Sequence, residues 1–238
     1  MIDKREATAE DALRDVADGA TVLIGGFGEA GSPTELVHAL IDQGARDLTI
    51  VNNNAGNGEM GLARLLQAGR VRKLICSYPR SSHSFVFSAL FKKREIELEL
   101  VPQGTLAERI RAGGAGIPAF YTPTAVGTAL AEGKEAREFN GRAYLLEHAI
   151  QGDFALVKAR AADRWGNLVY SKAARNFGPL MAMAARTTLV QVRELVELGD
   201  LDAEAIVTPS IFVDRIVQIA EPVSEREELL KLGRKKLS

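Results

Sequence analysis

The chain has 238 residues, 46% of them hydrophobic, and a formal net charge of −1 at pH 7. That length and apolar content suit one large buried core, and a charge near zero excludes a global field for nucleic acid or a membrane surface. A single cysteine, Cys76, excludes an internal disulfide and suits a reducing cytoplasm, while residues 1–6 lack the apolar core of a signal peptide and no run approaches the ~18 apolar residues of a membrane span.

Residues 8–16 read as a first helix, with Thr8 as N-cap, Leu13 and Val16 on its apolar side and Gly19 as its stop. Residues 21–24 are a short β-branched apolar run, expected to be a buried parallel strand. Four glycines follow within seven residues, at Gly25, Gly26, Gly28 and Gly31. A helix then begins, with Ser32 as N-cap, Pro33 at the first helical position and Glu35 completing a capping box. Its apolar face is Leu36, Val37, Leu40 and Ile41, and Gly44 ends it.

This strand, glycine turn and helix place backbone N–H groups where an anion or a developing oxyanion can bind. The competing reading is a plain connection with no ligand. Residues 26–31 also match G-x-G-x-x-G, but a dinucleotide site expects an acid at the end of the next strand. That strand, residues 47–51, ends in Asn52, Asn53 and Asn54, which argues against a nicotinamide nucleotide. The loop 52–58 is either a plain turn, since Asn and Gly tolerate left-handed backbone, or part of a site at the carboxyl edge of the sheet.

Leu62, Leu65 and Leu66 mark a helix closed by Gly69, and residues 73–78 form a third strand. Cys76, within that apolar strand, reads as inert packing rather than as a nucleophile paired with His83. Arg80, in the loop 79–82, is either solvated or within reach of a substrate carboxylate. Residues 84–93 read as a helix, 97–101 as a strand with one wet face, and 105–111 as a further helix, which leaves Gln103 at a strand terminus. Gly- and Pro-rich residues 113–123 read as a loop excursion and 132–141 as a charged surface turn, as in a hairpin loop.

Residues 143–149 and 154–160 are expected as strands of the same sheet. A tight turn at 163–167 leads into strand 168–171, and Trp165 reads as a lid on the core or an interface residue. Residues 180–185 make a small-residue helix, and 187–192 and 211–219 supply the last strands. The three histidines are scattered, so no metal site is expected. The fold class is α/β: an open, mostly parallel sheet with flanking helices, one domain over residues 1–220 and a tail over 221–238 that is a polar helix or frayed.

Several motifs carry a family resemblance over residues 3–220. They are Asp18-Gly19 followed by the aliphatic run, Gly25-Gly26-Phe27 and Pro33; Asn53 to Gly56; Pro102 to Arg111; Gly116 to Tyr121; Gly152 to Ala159; and Ala174 to Phe177. Together they resemble the A subunit of family I CoA-transferases that act on 3-oxo acids. The resemblance implies that family's fold and a transfer of CoA from succinyl-CoA to a 3-oxo acid, with CoA thioesters as substrates and no tightly bound cofactor. It also implies a ping-pong route through a glutamyl thioester, whose glutamate lies in a Ser-Glu-Asn-Gly motif of a separate B subunit. This chain lacks that motif, and Glu29, Glu59 and Glu147 are nucleophile candidates by residue type only.

The chain is therefore expected to be half an enzyme, forming a heterodimer or heterotetramer with a B subunit. Its own expected walls are the backbone of Gly25, Gly26, Phe27, Gly28, Glu29, Ala30 and Gly31, then Asn52, Asn53, Asn54 and Ala55, and Gln103 facing the acyl group. The segment 174–177 is expected to face the partner. Residues 57–59, 76–80 and 164–167 look closer to the 3-oxoadipate enzymes than to the acetoacetate enzymes, and Arg80 would pair with the second carboxylate of oxoadipate. The alternatives are an acetoacetate enzyme or a non-catalytic CoA- or nucleotide-binding regulator.

Overall fold

The computed structural model describes residues 2–81 and 83–235. A central sheet has the order β11-β10-β8-β1-β2-β3-β4, formed by β1 (Thr21–Ile24), β2 (Leu48–Val51), β3 (Val71–Cys76), β4 (Glu97–Leu100), β8 (Gly152–Asp163), β10 (Ala185–Val196) and β11 (Arg215–Gln218). Every pair along that path is parallel, and β9 (Leu168–Val169) adds an antiparallel pairing to β8. The expected open, mostly parallel sheet is what forms.

Alternation along the strands buries both faces. Val22, Ile24, Phe154 and Leu156 join one apolar cluster with α1 (Ala9–Ala12), α2 (Thr34–Gln43), α3 (Gly61–Gln67) and α4 (Phe85–Lys93). Leu23, Ala155, Val157 and Val190 join a second cluster with α5 (Gln103–Gly114) and α6 (Gly178–Met183). The result is a three-layer α/β/α arrangement. Among the described residues no helix is long and apolar enough to cross a membrane.

Several expectations need correction. The first helix stops at Ala12, although Thr8 does cap it by accepting from Asp11 N. Residues 113–123 are not all loop: α5 runs to Gly114, and β5 (Ala119–Thr122) places Phe120 and Tyr121 in a strand. The charged stretch 132–141 contains β6 (Ala136–Phe139). With β7 (Arg142–His148), these strands make a separate antiparallel sheet of order β5-β7-β6. The strand expected at 143–149 therefore leaves the main sheet, because its partners are β5 and β6 rather than β8.

At the C-terminus, α7 (Glu225–Lys235) is the helix of the two readings offered for the tail, whose last residues, 236–238, lie outside the described residues, as does Ser82 of the loop 79–82.

Candidate active site

Strand order decides where a crevice opens. From β1 the chain steps through β2, β3 and β4 on one side, while β8 flanks β1 on the other. The carboxyl end of β1 is therefore the switch point, where adjacent crossovers diverge and open a crevice. The glycine turn begins there, and Gly25 N donates to Leu156 O of β8 at 2.9 Å.

The turn is a small hairpin. Phe27 N donates to Ala30 O at 3.0 Å and Ala30 N to Phe27 O at 3.3 Å, with Gly28 (φ 60) and Glu29 at the tip. Among the described residues, the N–H groups of Gly28, Glu29 and Gly31 donate to nothing. The amide-lined surface is thus narrower than the sequence suggests, because Gly25, Gly26, Phe27 and Ala30 spend their N–H groups inside the fold.

Asn176, in the segment expected to face the partner, holds the base of this turn. Its Oδ1 accepts from Gly26 N at 3.1 Å and Phe177 N at 2.7 Å, and its Nδ2 donates to Ala30 O at 2.9 Å and Ala173 O at 3.0 Å. The side chain is satisfied on both its donor and acceptor sides within the same chain. The signal that could have pointed to it is its place in an Ala-Arg-Asn-Phe run ending just before a Gly-Pro helix start.

The capping box at the start of α2 does not form. The N-cap is Pro33, with no side-chain cap. Ser32 Oγ instead donates to Glu225 Oε1 at 2.8 Å, and Thr34 Oγ1 donates to the same oxygen at 2.5 Å. Glu35 accepts from Gln191 Nε2 and Val223 N. Groups far downstream in the chain have taken the local caps.

Asn52, Asn53 and Asn54 are buried, and much of their hydrogen bonding is structural. Asn52 Nδ2 donates to Ile24 O at 2.6 Å, tying the end of β2 to the end of β1, and Asn52 Oδ1 accepts from Asn54 N. Asn53 O accepts from Ser77 N and Tyr78 N, and Asn53 Oδ1 accepts from Gln103 Nε2 at 2.7 Å. Ala55 is fully buried. Gln103 is exposed as the first residue of α5. Arg80 is exposed beyond the end of β3, on the same carboxyl edge, with no hydrogen bond or ion pair among the described residues.

Asn57 links these loops. Its Nδ2 donates to Glu29 Oε1 at 2.9 Å, and its Oδ1 accepts from Ser81 Oγ and Ser84 Oγ. Of the nucleophile candidates, Glu29 is thus engaged at the turn and Glu59 is exposed. Glu147 lies in the second sheet, ion-paired with Lys134 and Arg109. Burial pushes the Cys76 thiol up to about 12, so it stays protonated and unreactive. His38 is a structural acceptor: its Nε2 takes Gly61 N at 3.0 Å, and burial lowers its affinity for a proton.

Glu225 is the unforeseen acid beside the turn. Burial pushes its carboxyl up, with Glu29 adding to the shift and the Thr34 and Ser32 hydroxyls and Lys158 opposing it. A carboxyl raised in the folded state stabilises docking most at low pH, and that contribution is lost as pH rises through the raised value. Glu225→Gln is therefore expected to slow amide exchange across α7 at neutral pH and to flatten its pH dependence. Equal exchange in both proteins would contradict this account.

A family model described as "Coenzyme A transferase" matches residues 6–219 of the chain. The A subunit of the 3-oxoadipate CoA-transferase of Pseudomonas putida is 60% identical over 220 residues, covering 92% of this chain and 95% of that protein. The A subunit of the succinyl-CoA:3-ketoacid coenzyme A transferase of Xanthomonas campestris pv. campestris (strain B100) is 50% identical over 226 residues, covering 94% and 93%. An acyl-CoA transferase from Escherichia coli O157:H7, solved as a thioester complex with CoA, superposes with a TM-score of 0.84 at 23% identity. That superposition covers 93% of this chain and 50% of the other, so the chain spans about half of that protein's length. At such identity the likeness carries the fold alone.

Proposed function

Because the chain belongs to the coenzyme A transferase family, we propose that it works as the A subunit of a succinyl-CoA:3-oxoacid CoA-transferase, with 3-oxoadipate as the acceptor acid. The observation that carries this reading is the identity difference. The 3-oxoadipate relative reaches 60% and the 3-ketoacid relative 50% over nearly the whole of each chain.

The reaction needs a carboxylate to attack the thioester carbonyl and donors for the oxyanion that results. Collapse expels CoA thiolate and leaves an acyl–glutamyl anhydride. The thiolate then attacks the glutamyl carbonyl, which releases succinate and forms the enzyme thioester. The same steps in reverse load the acceptor acid. In this chain the free N–H groups of Gly28 and Glu29 would receive the oxyanion, and one such donor is worth about 2.7–4 kcal/mol of barrier. Glu29 is held by Asn57 and serves as turn scaffold. As the family resemblance implies, the attacking carboxylate is a glutamate of the B subunit, and the two chains assemble around the glycine turn.

The side chain of Gln103 reaches the acyl group. Arg80 pairs with the distal carboxylate of oxoadipate, a task that suits a guanidinium fork. The CoA thioester is a substrate, and no resident cofactor takes part. Among the described residues, no group of three or more His, Cys, Asp or Glu side chains could hold a metal ion. One unpaired cysteine fits action in the cytoplasm.

The test is co-expression with the B subunit, followed by succinyl-CoA transfer assays on 3-oxoadipate and acetoacetate. The chain alone is expected to be inactive and the assembly to prefer 3-oxoadipate by at least about tenfold in kcat/KM, an expectation set by one lost ion pair. A preference for acetoacetate would assign the 3-ketoacid activity instead. No transfer by the assembly would point to a non-catalytic regulator.

A further inference from the structure

β1, β2 and β3 lie side by side and parallel, so the segments that follow them meet at one edge of the sheet. The glycine turn leaves β1 with its free N–H donors at Gly28 and Glu29. Residues 52–58 leave β2, and residues 79–84, which carry Arg80, follow β3. Groups on separate turns act on one substrate only if their spacing is fixed.

Asn57 joins the other two turns. It is half-buried, and its two amide ends face different elements. A carboxylate only accepts, so Nδ2 is the atom that faces Glu29 Oε1, at 2.9 Å. Oδ1 then accepts from the hydroxyls of Ser81 at 2.5 Å and Ser84 at 3.2 Å. Ser81 N donates to Ser84 Oγ at 3.0 Å, and Gly58 N donates to His83 O at 2.9 Å, which ties the loop 79–84 to the residue after Asn57. The planar amide thus sets the distance between the glycine turn and that loop.

Each end bears on a different group. A Cβ placed on Gly28 would meet nothing within 4 Å, so packing does little to restrain the tip of the turn. The bond to Glu29 restrains it instead. At the other end Ser81 adjoins Arg80, which is exposed and has no hydrogen bond or ion pair of its own among the described residues. Its place therefore follows from the anchoring of its neighbour.

We propose that Asn57 is a positioning residue that sets acceptor choice: it holds the Gly28 and Glu29 N–H groups through the Glu29 carboxylate and holds Arg80 through Ser81 and Ser84. The proposal rests on the CoA-transfer reading above. A dicarboxylic acceptor presents one carboxylate to the reacting centre while the other reaches Arg80, so the spacing of turn and loop selects its length. A short monocarboxylic acceptor uses the turn alone.

The test uses the enzyme assembled with its B subunit, with 3-oxoadipate and acetoacetate as acceptors. Asn57→Asp keeps an acceptor for Ser81 and Ser84 but replaces the charge-assisted bond to Glu29 with repulsion. It is expected to lower kcat about tenfold to a hundredfold with either acid. Asn57→Ala releases both turns and is expected to add a rise of about tenfold in KM for 3-oxoadipate that acetoacetate does not show. In a Glu29→Gln background the new amide can donate to the carboxylate of Asn57→Asp, so the bond re-forms with donor and acceptor exchanged. The double variant is expected within about threefold of Glu29→Gln. A general folding defect would instead lower kcat alike in both backgrounds. A double variant as slow as Asn57→Asp, or an Asn57→Ala enzyme with unaltered kcat and acceptor preference, would overturn the proposal. Failure of the unmodified assembly to transfer CoA would count against the transferase reading alone. Amide exchange would then decide the role of Asn57: faster exchange at Phe27, Ala30 and Gly58 in Asn57→Ala supports the hold on both turns, and unchanged exchange refutes it.

Discussion

Gly31→Ala is expected to lower kcat/KM of the assembled enzyme by about 10²–10³-fold, because displacing reacting groups by an ångström costs on that scale. Gly31 has φ 78, and a Cβ there would meet Ala174 O at 2.2 Å and Asn176 Nδ2 at 2.9 Å. The first contact is with backbone and cannot be relieved by a rotamer change. Relief requires moving the segment 174–176, and with it the Asn176 amide that holds Gly26 and Ala30. Left-handed strain and overpacking together cost about 2–6 kcal/mol, or a melting temperature roughly 4–24 °C lower for a chain of this size. Gly69→Ala is the control. Gly69 also has a positive φ, 67, but a Cβ there meets nothing within 4 Å, and it lies beyond α3, away from the turn. It should lose about 1 kcal/mol of stability and no activity. If Gly31→Ala transferred CoA as fast as Gly69→Ala, the turn would have no part in the reaction.

The second large effect separates stability from catalysis. Glu147→Ala is expected to destabilise the chain by about 3–5 kcal/mol, the usual result of removing one partner from a buried ion pair. Glu147 is only 3% exposed, opposite Phe120 in the second sheet, and its carboxylate faces Lys134 and Arg109. Arg109 keeps Glu99 at 2.8 Å and the His148 carbonyl, so the cost falls mainly on Lys134 and on the packing of β5 against β7. Denaturant titration would read the stability loss. Turnover per folded molecule should stay at the level of the unsubstituted enzyme, since Glu147 lies in a different sheet from the glycine turn. A variant that keeps full stability but loses turnover would make Glu147 the nucleophile and end the case for a borrowed carboxylate.

The local content of the sequence determined a good deal. The short β-branched runs at 21–24 and 48–51, the four-glycine turn, the Thr8 cap and the glycine stops at Gly44 and Gly69 all formed where their neighbours indicated. Each depends on residues within a few positions, so composition and spacing suffice to find it. The family motifs added the fold class and pointed to the glycine turn as a candidate site. Only the tertiary structure decided which groups pack around that turn. Ser32 and Glu35 have the right chemistry for a capping box, but Glu225, Gln191 and Val223 compete for them from the far end of the chain. Phe120 and Tyr121 read as loop because Gly and Pro flank them, yet pairing with β7 makes them a strand. Asn176 clamps the glycine turn from 150 positions away, and the asparagines after β2 act chiefly as ties between strand ends. A hydrogen-bonding side chain takes whichever partner packing brings near, and when that partner is remote in sequence, neighbouring residues carry no trace of it.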